Sequence, residues 1–369
     1  MTSLRVLQVH RDFAPDRGGG GVARHIHGLA TVAARAGLTV RVVAPDIRPP
    51  QGDHGYEVRR SGISGLWRQI GWADVVHVHG ARNPIAAAAA VIALARGRRL
   101  VYTPHCYYEG VSLLNRALKR AWDLAFERLL LRRSDAAVLL APFWLDALKQ
   151  RGLPVSSPVI LPNCVLGAGD LSRPARAAPM RGSPALLSLG RLDAVKRLDD
   201  AIAALRQPGL AAAVLHVVGT GPDRARLEAA ARSAGLADRV LFHGFVPDEQ
   251  VAAMAAAADC FVMTSAQEGG PTVLIEMMLM GRPVVASDIP GNRAILAAAG
   301  WEAGLYAMGD VAGLARTIGH VLAAPPAAEV ATRARVHFTW EPRMAQIVRL
   351  YTGPGPGESG SQAVLSRHR

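Results

Sequence analysis

The chain has 369 residues, of which 50% are hydrophobic and 19% are charged, and its formal net charge is +13. This length favours two domains of ordinary size, and the composition excludes an intrinsically disordered chain. The positive charge is compatible with nucleotide phosphates, nucleic acid or an acidic membrane face, so the charge alone identifies no partner.

Short apolar, valine-rich runs alternate with longer helical patterns along nearly the whole chain, in two series. Such runs predict buried strands, and strands that alternate with helices indicate parallel sheets covered on both faces. We therefore predict an α/β fold in which two doubly wound, Rossmann-like domains face each other across a cleft. The predicted strands are residues 4–10, 39–45, 75–80, 99–105, 136–142 and 159–163 in the first series, and 185–191, 213–219, 240–245, 260–266, 283–289 and 304–308 in the second.

A stretch without periodicity separates the two series. Residues 167–184 are rich in Gly, Pro and Ala, which is typical of a linker. This linker divides the chain into an N-terminal domain, residues 1–166, and a C-terminal domain, residues 185–337. The sequence of residues 338–352 predicts a final amphipathic helix that packs back on the N-terminal domain. The sequence of residues 353–369 predicts a disordered tail.

The cysteines and the hydropathy pattern favour a cytoplasmic location. The three cysteines are widely spaced and odd in number, which is typical of a reducing compartment. The start of the chain lacks the pattern of a secretory leader, and the longest apolar run, about residues 84–95, is too short to span a bilayer. Residues 112–135 predict a long apolar and basic helix, which lies either on an anionic membrane surface or against the core with a solvated basic edge.

Two glutamates flank a Gly-Gly-Pro turn after a predicted strand of the C-terminal domain, at the sheet edge where such folds bind ligands. Glu268 lies in the loop, and Glu276 lies one to two turns into the following helix, among apolar neighbours. Because ionised carboxylates accept hydrogen bonds, the pair suits the hydroxyl groups of sugars. The alternative is a capping role for Glu268 and a helix-surface position for Glu276, and the apolar neighbours of Glu276 argue against the latter.

Two cations and a glycine run also follow predicted strands. Arg191 and Lys196 lie after the first strand of the C-terminal domain, where they could clamp a diphosphate or be solvated surface charges. Residues 18–21 are four glycines between the first strand and a helical pattern, and glycines let a backbone approach a phosphate or a sugar closely. The run matches neither a dinucleotide fingerprint nor a P-loop, and a flexible turn is the alternative.

Histidines lie at three predicted strand ends of the N-terminal domain. They are His10, His79 and His105, and His77 shares one strand face with His79. A histidine-x-histidine strand end can bind a metal, as in some hydrolases, but no Asp-x-Asp motif or further ligand cluster accompanies it. We therefore favour histidines held by hydrogen bonds in the cleft, with His105 the best placed.

Taken in their order along the chain, these motifs resemble those of glycosyltransferase family 4, over roughly residues 4–352. The most specific of them is the Glu-x7-Glu motif EGGPTVLIE at residues 268–276. The resemblance implies the GT-B fold, transfer of a sugar from a nucleotide donor with retention at the anomeric carbon, and no bound metal. The other motifs are GGGGVARHIHGLA, VVHVHG, TPHC, ILPN, GRLDAVK, VVGTGPDRARLE and FHGFVPDEQVAAMAAAADCFVMTS.

The resemblance also implies a donor site built from both domains. The backbone at Gly20 and Gly21 would face the donor phosphate, Arg191 and Lys196 would hold the diphosphate, and Glu276 would hold the ribose diol. Arg191 and Lys196 would also have catalytic roles. The remaining assignments are Phe245 and Val246 beside the base, Glu268 with Gly269, Gly270 and Pro271 at the donor sugar, and His105 beside the reacting sugar, with Glu268 and His105 catalytic.

We therefore expect a retaining glycosyltransferase that moves a hexose-type sugar from a nucleoside-diphosphate donor to a hydroxyl of a glycan or lipid-linked acceptor, in cell-envelope or exopolysaccharide synthesis. The enzyme would need no cofactor beyond the donor substrate and no nucleic acid partner. Three alternatives stay open at this point: a nucleotide-sugar epimerase on the same scaffold, a metal-dependent hydrolase that uses His77 and His79, and a non-catalytic nucleotide-sugar sensor.

Overall fold

The computed structural model describes residues 3–16, 20–50, 52–107, 112–166 and 180–353. Residues 167–179 of the predicted linker and residues 354–369 of the predicted tail lie outside the described residues. The strands are β1 Arg5–Val9, β2 Asp12–Phe13, β3 Thr39–Ala44, β4 Asp46–Ile47, β5 Glu57–Arg60, β6 Val75–His79, β7 Arg99–Thr103, β8 Ala136–Leu139, β9 Pro158–Ile160, β10 Ala185–Leu189, β11 Val214–Val218, β12 Val240–Gly244, β13 Cys260–Met263, β14 Val284–Ser287 and β15 Leu305–Tyr306. The α-helices are α1 Gly20–Arg35, α2 Ile63–Trp72, α3 Pro84–Ala95, α4 Leu113–Trp122, α5 Arg128–Arg133, α6 Phe143–Gln150, α7 Leu198–Ala204, α8 Arg224–Ser233, α9 Asp248–Ala257, α10 Thr272–Leu279, α11 Pro290–Ala299, α12 Val311–Ala323, α13 Ala328–Phe338 and α14 Met344–Thr352.

A parallel sheet lies at the centre of each domain. The N-terminal domain has a seven-stranded sheet of order β5-β3-β1-β6-β7-β8-β9, and the C-terminal domain has a six-stranded sheet of order β12-β11-β10-β13-β14-β15. In each sheet the first strand of the domain lies inside, so the strand order reverses beside β1 and beside β10. Parallel sheets of this order bind ligands at the carboxyl ends of the strands beside the reversal. The predicted α/β fold with two Rossmann-like domains is confirmed.

Each predicted strand overlaps an observed one, but the sequence predicts neither the short pair β2 and β4 nor the strand β5. This strand has the sequence EVRR, with its two arginines exposed, and lies at the edge of the N-terminal sheet. An edge strand keeps one side in solvent and therefore needs no continuous apolar run.

The end of the chain returns to the N-terminal domain. Helix α14 packs against α1, and Trp340 and Tyr351 are buried in the same apolar cluster as the strands and α1 of that domain. The Tyr351 hydroxyl lies 3.0 Å from Nδ1 of His77 in β6. The returning segment runs beside the outgoing one, since Val165 N donates to the Phe338 carbonyl at 2.9 Å. The two domains are thus joined by two adjacent chain segments.

The predicted helix at residues 112–135 begins as α4 and continues through a π-helical turn, Asp123–Glu127, into α5. The two ends differ in burial: α5 contributes Leu130 and Leu131 to the core, whereas α4 has no buried residue. Within the described residues, no helix has both the length and the apolar character needed to cross a bilayer.

Candidate functional site

The starts of two helices from different domains lie side by side in the cleft. Gly20 begins α1 with a φ of +74°, a conformation that glycine adopts without strain. A Cβ atom on Gly21 would lie 3.5 Å from Oγ1 of Thr272, the first residue of α10. Free backbone N–H groups and the helix dipole make each helix start attractive to anions. The structure therefore brings the predicted residues Gly20 and Gly21 to the start of α10, the helix that carries Glu276.

Lys196 and Glu268, both predicted as site residues, form an ion pair. Lys196 Nζ donates to Glu268 Oε1 at 2.6 Å, and the Glu268 side chain is almost fully buried. The two residues follow neighbouring strands, β10 and β13, and the loops are tied together because Thr264 Oγ1 donates to the Lys196 carbonyl at 2.7 Å. A buried carboxylate requires such a partner, since an unpaired charge in this position is costly.

Arg191 lies in the same loop as Lys196 but points into solvent. Its side chain is 70% exposed, and its Nε atom lies 3.7 Å from an Asp193 oxygen. Both Arg191 and Lys196 line a small depression at the carboxyl ends of β10, β11 and β13. The predicted pair of cations therefore lines one depression, with Lys196 paired to Glu268 and Arg191 largely exposed.

Glu276 is held by a residue that the sequence does not single out, Arg24 of α1. Arg24 Nη1 donates to Glu276 Oε1 at 2.8 Å, and its Nη2 donates to Asp248 Oδ1 at 3.1 Å. The neighbouring carboxylates, Glu276 foremost, raise the pKa of Arg24. An N-terminal-domain cation thus bridges two carboxylates of the C-terminal domain. In the sequence, Arg24 follows the glycine run by about one helical turn. That position is the only sequence signal that could have pointed to it.

Phe245 and Val246, predicted to meet the base, have different surroundings. Phe245 follows β12, is 58% exposed, and lines an open space of about 410 Å³ together with Pro247 and Asp248 of its own domain and Asp16 and Arg48 of the other. The Val246 side chain is half-buried against the core of the C-terminal domain. Only the Phe245 ring is available to the cleft, and Val246 can reach a ligand there through its backbone.

Residues of the N-terminal domain contact the loop between Glu268 and α10. The loop needs glycine at position 269, because a Cβ atom there would lie 2.7 Å from the His105 carbonyl oxygen. Trp144 Nε1 donates to the Gly269 carbonyl at 3.3 Å, and Asn163 Nδ2 donates to the Gly270 carbonyl. The predicted residues His105, Gly269, Gly270 and Pro271 therefore come together, and Trp144 and Asn163 are partners that no local pattern reveals.

The histidines of the N-terminal domain are buried and mutually close. His105 has a φ of +64°, and its Nε2 atom lies 3.3 Å from Nδ1 of His79. Burial lowers the pKa of His25 to about 4 and lowers the pKa values of His77, His79 and His105 well below their usual range. These four imidazoles are therefore neutral near pH 7.

His77 and His79, the two residues considered as metal ligands of a hydrolase, have different partners. Both ring nitrogens of His77 have partners inside the domain, the Tyr351 hydroxyl at 3.0 Å and Thr103 Oγ1 at 2.7 Å. His79 instead approaches His105 and His25, and one ring nitrogen from each of these three lies within 4.8 Å of the others. His77 is thereby disfavoured as a metal ligand.

Both domains match family models of glycosyltransferases. The model described as Glycosyltransferase Family 4 matches residues 19–165, and the model described as Glycosyl transferases group 1 matches residues 175–337. The chain belongs to glycosyltransferase family 4. The first match ends just before the predicted linker and the second begins within it, so each domain is matched by its own glycosyltransferase model.

A relative of this family 4 chain is the 2-deoxystreptamine N-acetyl-D-glucosaminyltransferase of Streptomyces fradiae, with 32% identity over 267 residues. The match covers 67% of the family 4 chain and 62% of that relative's own length. Among solved structures, the sucrose-phosphate synthase of Thermosynechococcus elongatus has a TM-score of 0.77 at 21% identity, over 95% of this chain and 98% of that one. HepE of Anabaena, solved in complex with UDP, has a TM-score of 0.71 at 18% identity, over 95% of this chain and 100% of that one. The two structural likenesses show that the family 4 chain has the GT-B fold.

Proposed function

We propose that the protein is a retaining glycosyltransferase that moves a hexose-type sugar from a nucleoside-diphosphate donor to a hydroxyl of a glycan or lipid-linked acceptor, in cell-envelope or exopolysaccharide synthesis. The observation that carries the proposal is the position of the Lys196–Glu268 ion pair beside two facing helix starts, one from each domain. This arrangement offers a cation and free N–H groups to phosphates and a carboxylate to sugar hydroxyls.

The proposed donor lies across the cleft with its diphosphate at the helix starts. Lys196 and the exposed Arg191 approach the phosphates, and the backbone at Gly20 and Gly21 lies on their other side. Glu276, oriented by Arg24, accepts hydrogen bonds from the ribose diol. Phe245 lies beside the base.

The donor sugar then lies against the loop Gly269–Pro271, within reach of Glu268 and the His105 carbonyl. The acceptor hydroxyl attacks the anomeric carbon from the face that the diphosphate leaves: the bond to the phosphate oxygen breaks, the bond to the acceptor oxygen forms, and a phosphate oxygen takes the acceptor's proton. Lys196 and Arg191 offset the charge on the leaving phosphate. These cations supply the charge stabilisation, so we propose that transfer needs no metal and persists in the presence of a chelator.

The experiment that tests the donor site is a thermal-shift series with nucleoside diphosphates, including UDP. A nucleotide that binds should raise the free energy of unfolding by about 2.7 kcal/mol when present at about 100 times its dissociation constant. Glu276→Gln should weaken this effect because the variant loses the anionic acceptor for the ribose diol. Glu228→Gln, which removes a surface carboxylate paired with Arg224 in α8, is the matched control and should bind as the wild type does.

The outcome distinguishes the proposed function from its alternatives. Equal stabilisation of wild type and Glu276→Gln would refute the assigned role of Glu276. Incubation with the nucleotide-sugar donor and no acceptor separates a transferase from an epimerase. Only an epimerase converts the sugar of the donor to another isomer. A sensor would bind the donor and transfer nothing to any acceptor, and a hydrolase that depends on a metal would lose its activity in the chelator.

We also propose that α4 binds the anionic surface of a membrane from the cytoplasmic side, where a lipid-linked acceptor would be available. Leu113, Leu114 and Leu118 are 80%, 69% and 61% exposed, so among the described residues most of each apolar side chain is left uncovered. Arg116 and Arg120 lie among these leucines on the exposed helix. Basic residues beside exposed leucines suit anionic headgroups above an apolar layer.

Sedimentation with lipid vesicles tests the proposed membrane contact. The protein should bind vesicles that contain anionic lipid, and should bind neutral vesicles or vesicles at high salt much less, because salt screens the charges. Leu118→Glu should weaken binding at least about tenfold, since one buried leucine contributes roughly 1.5–3 kcal/mol. Val336→Glu, at an equally exposed apolar site in α13, is the control and should leave binding unchanged. Equal binding by both variants would contradict the role of α4.

A further inference from the structure

We propose that His25, His79 and His105 form a binding site for a divalent transition-metal ion such as Zn²⁺. One ring nitrogen from each histidine lies within 4.8 Å of the other two, and all three side chains are buried. The site draws its ligands from α1, from the end of β6 and from the segment after β7. The binding claim does not rest on the proposed transferase function, which needs no metal.

The hydrogen bonds around Asn163 fix which nitrogen of His25 is free. The Gly270 carbonyl can only accept, so the Asn163 amide nitrogen points to it and the Asn163 oxygen points to His25. That oxygen accepts from His25 Nδ1 at 2.8 Å, so Nδ1 carries the hydrogen and Nε2 carries the lone pair. Among the described residues, this buried Nε2 has no hydrogen-bond partner. A hydrogen bond from the second nitrogen to an oxygen is the usual way of orienting a metal-binding histidine.

The spacing of the other two histidines matches a tetrahedral ion. His79 Nδ1 and His105 Nε2 are 3.3 Å apart. Zinc–nitrogen bonds of about 2.0–2.1 Å in a tetrahedron place two ligand nitrogens roughly 3.3–3.4 Å apart. The two nitrogens can therefore share an ion in place of the proton that they share in its absence. The His25 nitrogen lies within 4.8 Å of both, so its ring would have to move toward them to complete the site.

The donor atoms of the cluster also suit a metal, because imidazole nitrogens are common ligands of divalent transition metals. The neutral imidazole is the form that binds metals. Three histidines leave the fourth position of a tetrahedral ion open for water or another small ligand.

An ion at this site would act on the loop that precedes α10. His105 contacts this loop through its carbonyl, which lies close to Gly269, and His25 contacts it through Asn163, which binds Gly270. Binding of the ion would fix both contacts at once. We expect the ion to slow sugar transfer by restraining this loop, and chelation to restore the rate.

Titration of the chelator-treated, tag-free protein with Co²⁺ tests the site directly. The expected result is a single saturable step with the strong visible absorption of four-coordinate Co²⁺, which Zn²⁺ then displaces. His25→Gln and His79→Gln should each lose this absorption. His243→Gln is the control: His243 pairs with His216 at 3.0 Å in the C-terminal domain, outside the site, and the variant should bind Co²⁺ as the wild type does.

A fourth variant tests the site without replacing any proposed ligand, in case the histidine variants misfold. Asn163→Ala keeps all three histidines but removes the oxygen that orients His25, so Co²⁺ affinity should fall about 10- to 100-fold while the absorption band keeps its shape. Absence of the band in the wild type would overturn the proposal, and so would an unchanged band in folded His25→Gln. Neither result would affect the nucleotide shift, which tests the transferase separately.

Discussion

Replacement of Lys196 by glutamine is expected to lower the rate of sugar transfer by about 100- to 1,000-fold, the loss that follows removal of one group that stabilises charge in a transition state. The ammonium group is held beside the proposed diphosphate by Glu268, whereas the Arg191 side chain is 70% exposed. Glutamine can still donate a hydrogen bond to Glu268, so the buried carboxylate keeps a partner and the fold is preserved. The turnover number at saturating donor, measured beside the unfolding midpoint, checks both expectations.

The sequence offers a matched control for this substitution. The chain has three lysines, and Lys149 lies in α6, away from the cleft, with an exposed side chain. Lys149→Gln removes the same charge and should transfer sugar at the wild-type rate. Glu268→Gln tests the other half of the pair and should reduce transfer by weakening the contact with the donor sugar. A Lys196→Gln variant that works within about threefold of the wild type would remove Lys196 from the mechanism.

Substitution of Gly28 by alanine is expected to destabilise the protein by more than about 3 kcal/mol, at or beyond the upper end for overpacked cores. Gly28 lies in the middle of α1, directly beneath the fully buried Trp340. An added Cβ atom would come within 1.9 Å of the indole Nε1 atom. Either the indole or the whole returning segment must move, and both are tightly packed. Urea unfolding, with the midpoint and slope compared to the wild type, measures the loss.

Two further variants distinguish this clash from a general effect of glycine. Gly319 lies within α12 and has no atom within 4 Å of an added Cβ. Gly319→Ala should therefore stabilise by up to about 1 kcal/mol, since alanine is the better helix former. Trp340→Leu combined with Gly28→Ala should recover part of the lost stability because the smaller side chain leaves room. A stable Gly28→Ala variant would show that α1 and Trp340 are less closely packed than described.

The sequence predicts the sheets well because their strands are buried on both faces. Such strands are mainly apolar, as in the valine-rich Val75–His79 and Val214–Val218, so a short hydrophobic run marks them. The exposed edge strand Glu57–Arg60 carries no such mark and was missed. The sequence predicts the individual candidate residues of the site, because polar residues at strand ends and glycines before helices are local features.

The pairings within the site could not be predicted from local patterns. Lys196 and Glu268 are 72 positions apart, and Arg24 and Glu276 are 252 positions apart. Their contact depends on which strands are neighbours and on how the two domains face each other. Both properties follow from the packing of the whole chain, and no short stretch contains them. The same reason explains why His25 was absent from the predicted histidine set: it comes from a helix and not from a strand end.

The return of the chain to the N-terminal domain has a consequence for synthesis on the ribosome. Trp340, Ile347 and Tyr351 complete the core of a domain whose strands are translated first. The apolar cluster along α1 therefore cannot close until α14 has emerged, whereas the C-terminal sheet is complete once β15 has emerged. Folding in the order of synthesis, the common course for multidomain proteins, is thus reversed for the final step. The nascent N-terminal domain carries an open apolar surface along α1 until the last helix covers it.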